Sequence, residues 1–293
     1  MGKKLVVAMS TSCLDYHPYQ HNIRILRLNI ELGNRRYIDG LSLKNGDFQN
    51  WMLENPQALA KTSPPSRLEI TKFFLKIMDE GYREVLFVGM SEALSKTCAR
   101  VREIIPLFEG KMIIRVFDSR SGTFIEGMMA LEADRCFKKG LSMEQTLSRL
   151  DELRSDCQVM FGVSDLSYLL YNGRLSRVSG FVANLLRLKP LIHINRRGEA
   201  EVAERIMTTA RAMRVLSDRV ARVLEHGSYS VFTLYSGDLE LHRDLEDILE
   251  SRNQLRHLPS YPISPVVAAH IGPHAFGVGL IRAPVHETAK NAA

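Results

Sequence analysis

The chain has 293 residues, 45% of them hydrophobic and 25% charged, which is enough apolar material for two modest cores and excludes a wholly disordered protein. Its net charge of +6 is mild for this length and argues against a nucleic-acid-binding role. No stretch approaches the roughly 18–20 unbroken apolar residues of a membrane-spanning helix.

Lys3 and Lys4 precede the apolar run Leu5–Met9. The run is too short for a secretion signal, and polar Ser10, Thr11 and Ser12 follow at once. It reads as an opening β-strand, and a cytoplasmic location is expected. Val85–Gly89, Met112–Phe117 and Val159–Val163 are short aliphatic runs bounded by polar or turn residues, and read as further buried strands. Helices lie between them. Ser66 and Glu69 form a capping-box pair ahead of Ile70, Phe73, Phe74, Ile77 and Met78, and Gly81 is the stop. A second helix carries Leu94, Cys98, Val101, Ile104 and Ile105, and a third opens at Ser142 with Gln145 as its box partner. Strands alternating with helices predict a mostly parallel sheet covered on both faces.

After about residue 160 the pattern changes. Pro190–Ile194 and the segment after Arg197–Gly198 predict a hairpin. A helix is predicted from Arg205 to Glu225 with Gly227 as its stop, then a strand at Ser230–Tyr235 and a helix from Leu239 to Asn253. Val266–Ala269 reads as a last strand with His270 at its end. The expected organisation is an N-terminal α/β domain over 1–160 with a parallel sheet, a mixed α+β C-terminal domain over 161–284, and a disordered tail over 285–293.

Cys13, Cys98, Cys136 and Cys157 lack CxxC spacing, which points to reduced buried thiols rather than a zinc site or a disulfide framework. There is no Walker sequence, GxGxxG or HExxH, so neither a cofactor nor a metal is expected. Arginines gather between Arg174 and Arg222 among Glu199, Glu201, Glu204 and Asp218. They read either as a solvated face or as a surface for a protein or for lipid headgroups.

Several segments could bind an anion. Thr62 and Ser63 precede a stiff double proline, Pro64–Pro65, which leads into the capped helix; a rigid N-cap loop accounts for the same residues. Ser91, Ser95 and Thr97 follow the strand Val85–Gly89, at the carboxyl end where open α/β sheets place ligands. Hydroxyls beside free helix N–H groups suit a carboxylate. Arg174 in YNGRLS is either a turn residue or an anion partner, and His270 is either structural or a donor beside a glycine turn. No GxSxG elbow surrounds any serine, and no acid is evidently placed to orient His270. Met, Leu and Phe on the helices fit a plain core or a lipid tunnel.

In order, Ser10-Thr11-Ser12, Tyr37-Ile38-Asp39, Thr62 to Ser66, Ser91 with Leu94-Ser95-Lys96-Thr97, Asp118-Ser119, Gly173-Arg174-Leu175-Ser176, Leu185 to Pro190 and His270-Ile271-Gly272-Pro273 make the chain resemble the DegV family of fatty-acid-binding carriers over roughly residues 4 to 280. The resemblance implies the two-domain DegV-like (EDD) fold, with one long-chain fatty acid between the domains. It implies no catalysis by the chain itself. A separate ATP-dependent fatty-acid kinase would phosphorylate the presented carboxylate and feed phospholipid metabolism, with peripheral membrane contact for lipid exchange. By matching position, Thr62 and Ser95 would contact the carboxylate, Ser63 and Ser91 would come next, and Arg174 and His270 would stand nearby. Met9 replaces a usual acid, Glu92 a usual serine, and Lys96 and His274 usual glycines. Glu92 would repel an anionic headgroup and Lys96 would attract one. Two alternatives are weighed against this reading: an acyl-ester hydrolase with Ser95 or Ser91 as nucleophile and His270 as base, and a regulatory protein without a ligand.

Overall fold

The computed structural model of the chain describes residues 2–56, 58–175, 188–237 and 239–282. The chain opens with β1 (Lys3–Met9), followed by two 3₁₀ turns and β2 (Arg24–Leu26). Next come β3 (Asn29–Leu32), β4 (Arg35–Ile38), α1 (Asn45–Glu54), β5 (Lys61–Ser63) and α2 (Arg67–Asp79). They are followed by β6 (Tyr82–Gly89), α3 (Thr97–Arg102), β7 (Ile113–Asp118), α4 (Thr123–Lys138) and α5 (Met143–Ser155). β2-β1-β6-β7 form a four-stranded sheet in which every pairing is parallel. β1 is buried from Leu5 to Met9 and β6 from Val85 to Gly89. That is why these strands are unbroken aliphatic runs rather than alternating ones: helices cover both faces of a parallel sheet. β4-β3-β5 form a small antiparallel sheet, which carries Thr62 opposite Ile30.

The capping boxes form as the sequence predicts. Ser66 Oγ accepts from Glu69 N while Glu69 accepts from Ser66 N, and Ser142 and Gln145 do the same at α5. α2 buries Ile70, Phe74 and Ile77, each worth about 1.5–3 kcal/mol of apolar burial, and Gly81 turns the chain out at φ +89°. α3 is shorter than the sequence suggests. Leu94 precedes it in a turn, and Ile105 opens a separate 3₁₀ turn with Pro106, which cannot continue a helix.

The second sheet is built from β8 (Cys157–Val163), β9 (Leu191–Ile194), β10 (Ala200–Glu204), β11 (Tyr229–Gly237), β12 (Ser260–Pro262) and β13 (His274–Arg282), in the order β10-β9-β8-β13-β11-β12. Only β11 and β12 pair parallel. α6 (Ser167–Tyr171), α7 (Thr209–Leu224), α8 (Leu239–Asn253) and α9 (Pro265–Ile271) connect and cover it. The predicted hairpin is β9–β10, with Gly198 at φ +82°. α8 has its predicted bounds, whereas α7 begins later than Arg205, at the N-cap Thr208, because β10 extends to Glu204.

Two strand expectations are corrected. Val159–Val163 pairs antiparallel with β13 and β9, in the second sheet rather than the parallel one; a short apolar run does not reveal which sheet buries it. Val266–Ala269 is helical, within α9. Ser264 is its N-cap, Pro265 sits at the first helical position and Gly272 ends it at φ +85°, a start–stop signal that overrides the β-branched pair Val266–Val267. The last strand is instead His274–Arg282. α4, absent from the sequence reading, lacks a start signal: its N-cap is Gly122, with no side-chain cap, and Thr123 has a positive φ of 54°. Ser176, 185–187 and the tail over 285–293 lie outside the described residues.

Cys13, Cys98 and Cys136 are buried and Cys157 half-buried, all as free thiols, and burial raises the pKa of each. Among the described residues no helix is long and apolar enough to cross a membrane, and no cluster of three or more His, Cys, Asp or Glu side chains could hold a metal.

Candidate functional site

A cavity of about 270 Å³ lies between the carboxyl ends of the parallel strands and the inner side of the second sheet with α9. Parallel topology fixes this position, because the loops leaving β1, β6 and β7 all emerge at one edge. Most of the wall is apolar, including Leu28, Met90, Leu94, Phe161, Leu234, Ile263 and Val267. Its polar side chains are Thr11, Thr62, Ser63, Ser95, Lys96, Thr123, Arg174 and His270. Five of the six residues singled out from sequence therefore meet here, from segments far apart in the chain.

Thr62 Oγ1 and His270 Nε2 are 2.8 Å apart. β5 presents the threonine and the last turn of α9 presents the imidazole. Burial, and then the positive charge of Arg174, push His270 down to about 4, so the ring is neutral at neutral pH. Its Nδ1 is buried without a partner among the described residues. Arg174 follows Gly173 (φ +62°) and reaches across the seam, where its Nε donates to Leu94 O at 3.0 Å. It thereby clamps the loop that carries Ser95. Ser95 Oγ lies 3.0 Å from Thr97 Oγ1 and accepts from Thr97 N at 3.3 Å.

Ser91 is the exception. It is fully buried and absent from the cavity wall. Its Oγ donates to Gly198 O at 2.7 Å, its N donates to Ser121 O at 2.8 Å, and its O accepts from Ser95 N at 2.8 Å. The serine joins the β6 loop to the β9–β10 hairpin.

Each unusual residue has a distinct place. Lys96 lines the cavity, whereas Glu92 is paired with Arg102 at 2.6 Å and is not in the wall. His274 starts β13 opposite Gly237 and also lies off the cavity. Met9 Sδ accepts from Met90 N at 3.3 Å. Met9 N itself donates to Glu126 Oε1 at 3.2 Å. A carboxyl from α4 thus reaches the backbone at the end of β1. Glu126 is fully buried, and desolvation pushes it up to about 8 against the opposing hydrogen bonds from Thr11 and Met9.

Sequence reasoning did not select Thr11, Thr123 or Glu126. Thr11 had a usable signal, since it follows the central parallel strand at its ligand-binding end. Glu126 had none, because a glutamate within a helix ordinarily faces solvent.

The arrangement does not suit a Ser–His–acid relay. Ser95 is bonded to Thr97 and His270 to Thr62, and no described carboxylate reaches His270 Nδ1 to orient the ring. It does suit an apolar chain with a small anionic head, because hydroxyls, a lysine, an arginine and a neutral imidazole converge on one otherwise apolar space.

The family model described as "Uncharacterised protein, DegV family" matches residues 3–283, and the chain belongs to that family. A DegV domain-containing protein of Clostridium acetobutylicum is 28% identical over 286 residues, spanning 96% of this chain and all of the relative. A fatty acid binding DegV family protein from Streptococcus agalactiae has a similar structure, with TM-score 0.88 and 22% identity over 97% of this chain and 100% of its own. A solved structure that describes fatty acid binding of a DegV family protein from Thermus thermophilus has TM-score 0.85 and 25% identity over the same shares.

Proposed function

We propose that the protein is a non-catalytic carrier that binds one long-chain fatty acid in this cavity. The observation that carries the reading is the wall itself, mostly apolar but with Thr62, Ser63, Ser95, Lys96, Arg174 and His270 among its polar side chains. A buried carboxylate needs hydrogen bonds or a counter-charge, and these residues supply both. The acyl chain supplies the affinity: at about 0.8 kcal/mol per buried CH₂, a long chain offers on the order of 10 kcal/mol before ordering costs. Similarity to fatty-acid-binding proteins of the same family supports the ligand class.

In this reading Thr62 and Ser95 contact the carboxylate, Ser63 flanks them, and Ser91 holds the loop. The carrier works in the cytoplasm and presents its carboxylate to a separate ATP-dependent kinase. Loading and unloading take place by peripheral contact with a membrane. The test is mass spectrometry of the organic extract of protein purified without detergent. About one equivalent of a long-chain acid is expected; no lipid, together with no uptake of added acid, defeats the proposal. Formation of acyl-phosphate from ATP only when carrier and kinase are combined tests the second part.

A further inference from the structure

A second cavity, of about 450 Å³, lies against the first, and Val159 and Ile194 line both. The two differ in character. Arg120, Arg154, Arg196, Arg219 and His193 line the second, and Asp156 is the one acid in its wall. Asp156 is already matched, by an ion pair with Arg282 and by a hydrogen bond from Tyr229 Oη at 2.8 Å.

The basic groups are less completely matched. Arg154 pairs with Asp151 and donates to Asp118 O. Arg219 reaches Glu204 only at 3.5 Å, through Nη2, and its buried Nε has no partner among the described residues. His193 stands 3.7 Å from Glu201, and its buried Nδ1 is likewise without a partner there. Arg120 and Arg196 are exposed, and their guanidinium groups have no acidic partner among the described residues. A buried N–H without an acceptor is uncommon in a folded protein. One water would satisfy Arg219 Nε but would leave the surplus positive charge in place. A multiply charged oxyanion would answer both, and guanidinium forks on separate elements suit its several oxygens.

We propose that this cleft binds a phosphate-bearing anion, held by Arg120, Arg196 and Arg219, at a site distinct from the acyl cavity. The phosphate belongs either to a small soluble molecule or to a lipid headgroup.

The experiment is calorimetric titration of the purified protein with inorganic pyrophosphate, alongside sedimentation with vesicles containing phosphatidic acid. Wild type is compared with the Arg120→Gln/Arg196→Gln double variant, whose changed residues are both exposed. Saturable pyrophosphate binding that weakens about tenfold or more in the variant, and falls as salt rises, supports a soluble ligand. Sedimentation with vesicles alone, lost in the variant, supports a headgroup. Fatty-acid content and melting temperature should be unchanged in either case. The charge reversal Arg196→Glu checks the result with a single substitution. Absence of both interactions in wild type, or interactions that neither variant weakens, overturns the proposal.

Discussion

The hydroxyl of Thr11 donates to the carboxyl of Glu126 at 2.6 Å, in a core that leaves both residues essentially without solvent. Thr11 is also part of the wall of the first cavity, so a buried acid lies one hydrogen bond from that space. Burial raises this acid from 4.5 to about 8, so the folded protein holds a proton that the unfolded chain releases. Between these values the native state binds more protons, and stability falls as pH rises. The contribution is complete below about 4.5 and lost by about pH 8. Glu126→Gln keeps the shape without the charge. Its urea-unfolding free energy should exceed that of wild type at pH 9, by on the order of a few kcal/mol, and match it near pH 5. Equal pH slopes in the two proteins would show that Glu126 is ionised in the fold.

His270 shifts in the opposite sense. Its folded value of about 4 lies below the ordinary 6.5, so the unfolded chain takes up a proton first. The stability from the neutral ring is present above about 6.5 and is lost as pH falls toward about 4. His270→Gln should flatten the stability profile between those values in chemical denaturation. Fatty-acid retention in wild type should stay level between pH 6 and 7, above the titration of the ring and below that of Glu126.

Thr62→Val removes the hydroxyl bonded to His270 Nε2 with little change in volume. Stability should drop by about 1–3 kcal/mol for the orphaned ring nitrogen. Fatty-acid affinity in a competition assay should fall about tenfold, because one contact to the carboxylate is also lost. Unchanged affinity would remove Thr62 from the site.

Ser91→Ala and Ser95→Ala separate support from contact. Losing the Ser91–Gly198 bond should cost about 1–2 kcal/mol of stability, with modest loss of ligand. Ser95→Ala should do the reverse. Gly198→Ala is the severe form: an added Cβ would sit 2.1 Å from Ser91 Oγ and 3.1 Å from Arg120 Cα, at φ +82°. Its melting temperature should fall well below that of Ser91→Ala.

The legible parts of the sequence were those with local physics behind them. Ser66–Glu69 and Ser142–Gln145 fix helix starts by bonds within four residues, and both formed as predicted. Thr62, Ser95, Arg174 and His270 meet in space, but their grouping came from resemblance to a family; no spacing rule brings Thr62 to His270 across 208 positions. Val266–Val267 misled because β-branched residues suit a strand, while Ser264–Pro265 just ahead starts a helix. Glu126 was invisible because its partners, Met9 and Thr11, lie more than a hundred residues away.

The place of β13 bears on how the protein is made. This strand, the last one described, lies between β8 and β11 rather than at an edge. All four strands of the parallel sheet precede residue 119, so that sheet can form while synthesis continues. The second sheet has a gap at its centre until His274–Arg282 has left the ribosome, and the pairing of β13 with β8 spans more than a hundred residues. Such long-range closure is slow and leaves strand edges bare meanwhile. Because Phe161 and Leu234, on the strands that flank β13, line the first cavity, the nascent chain has a finished wall to that cavity only once β13 has been made.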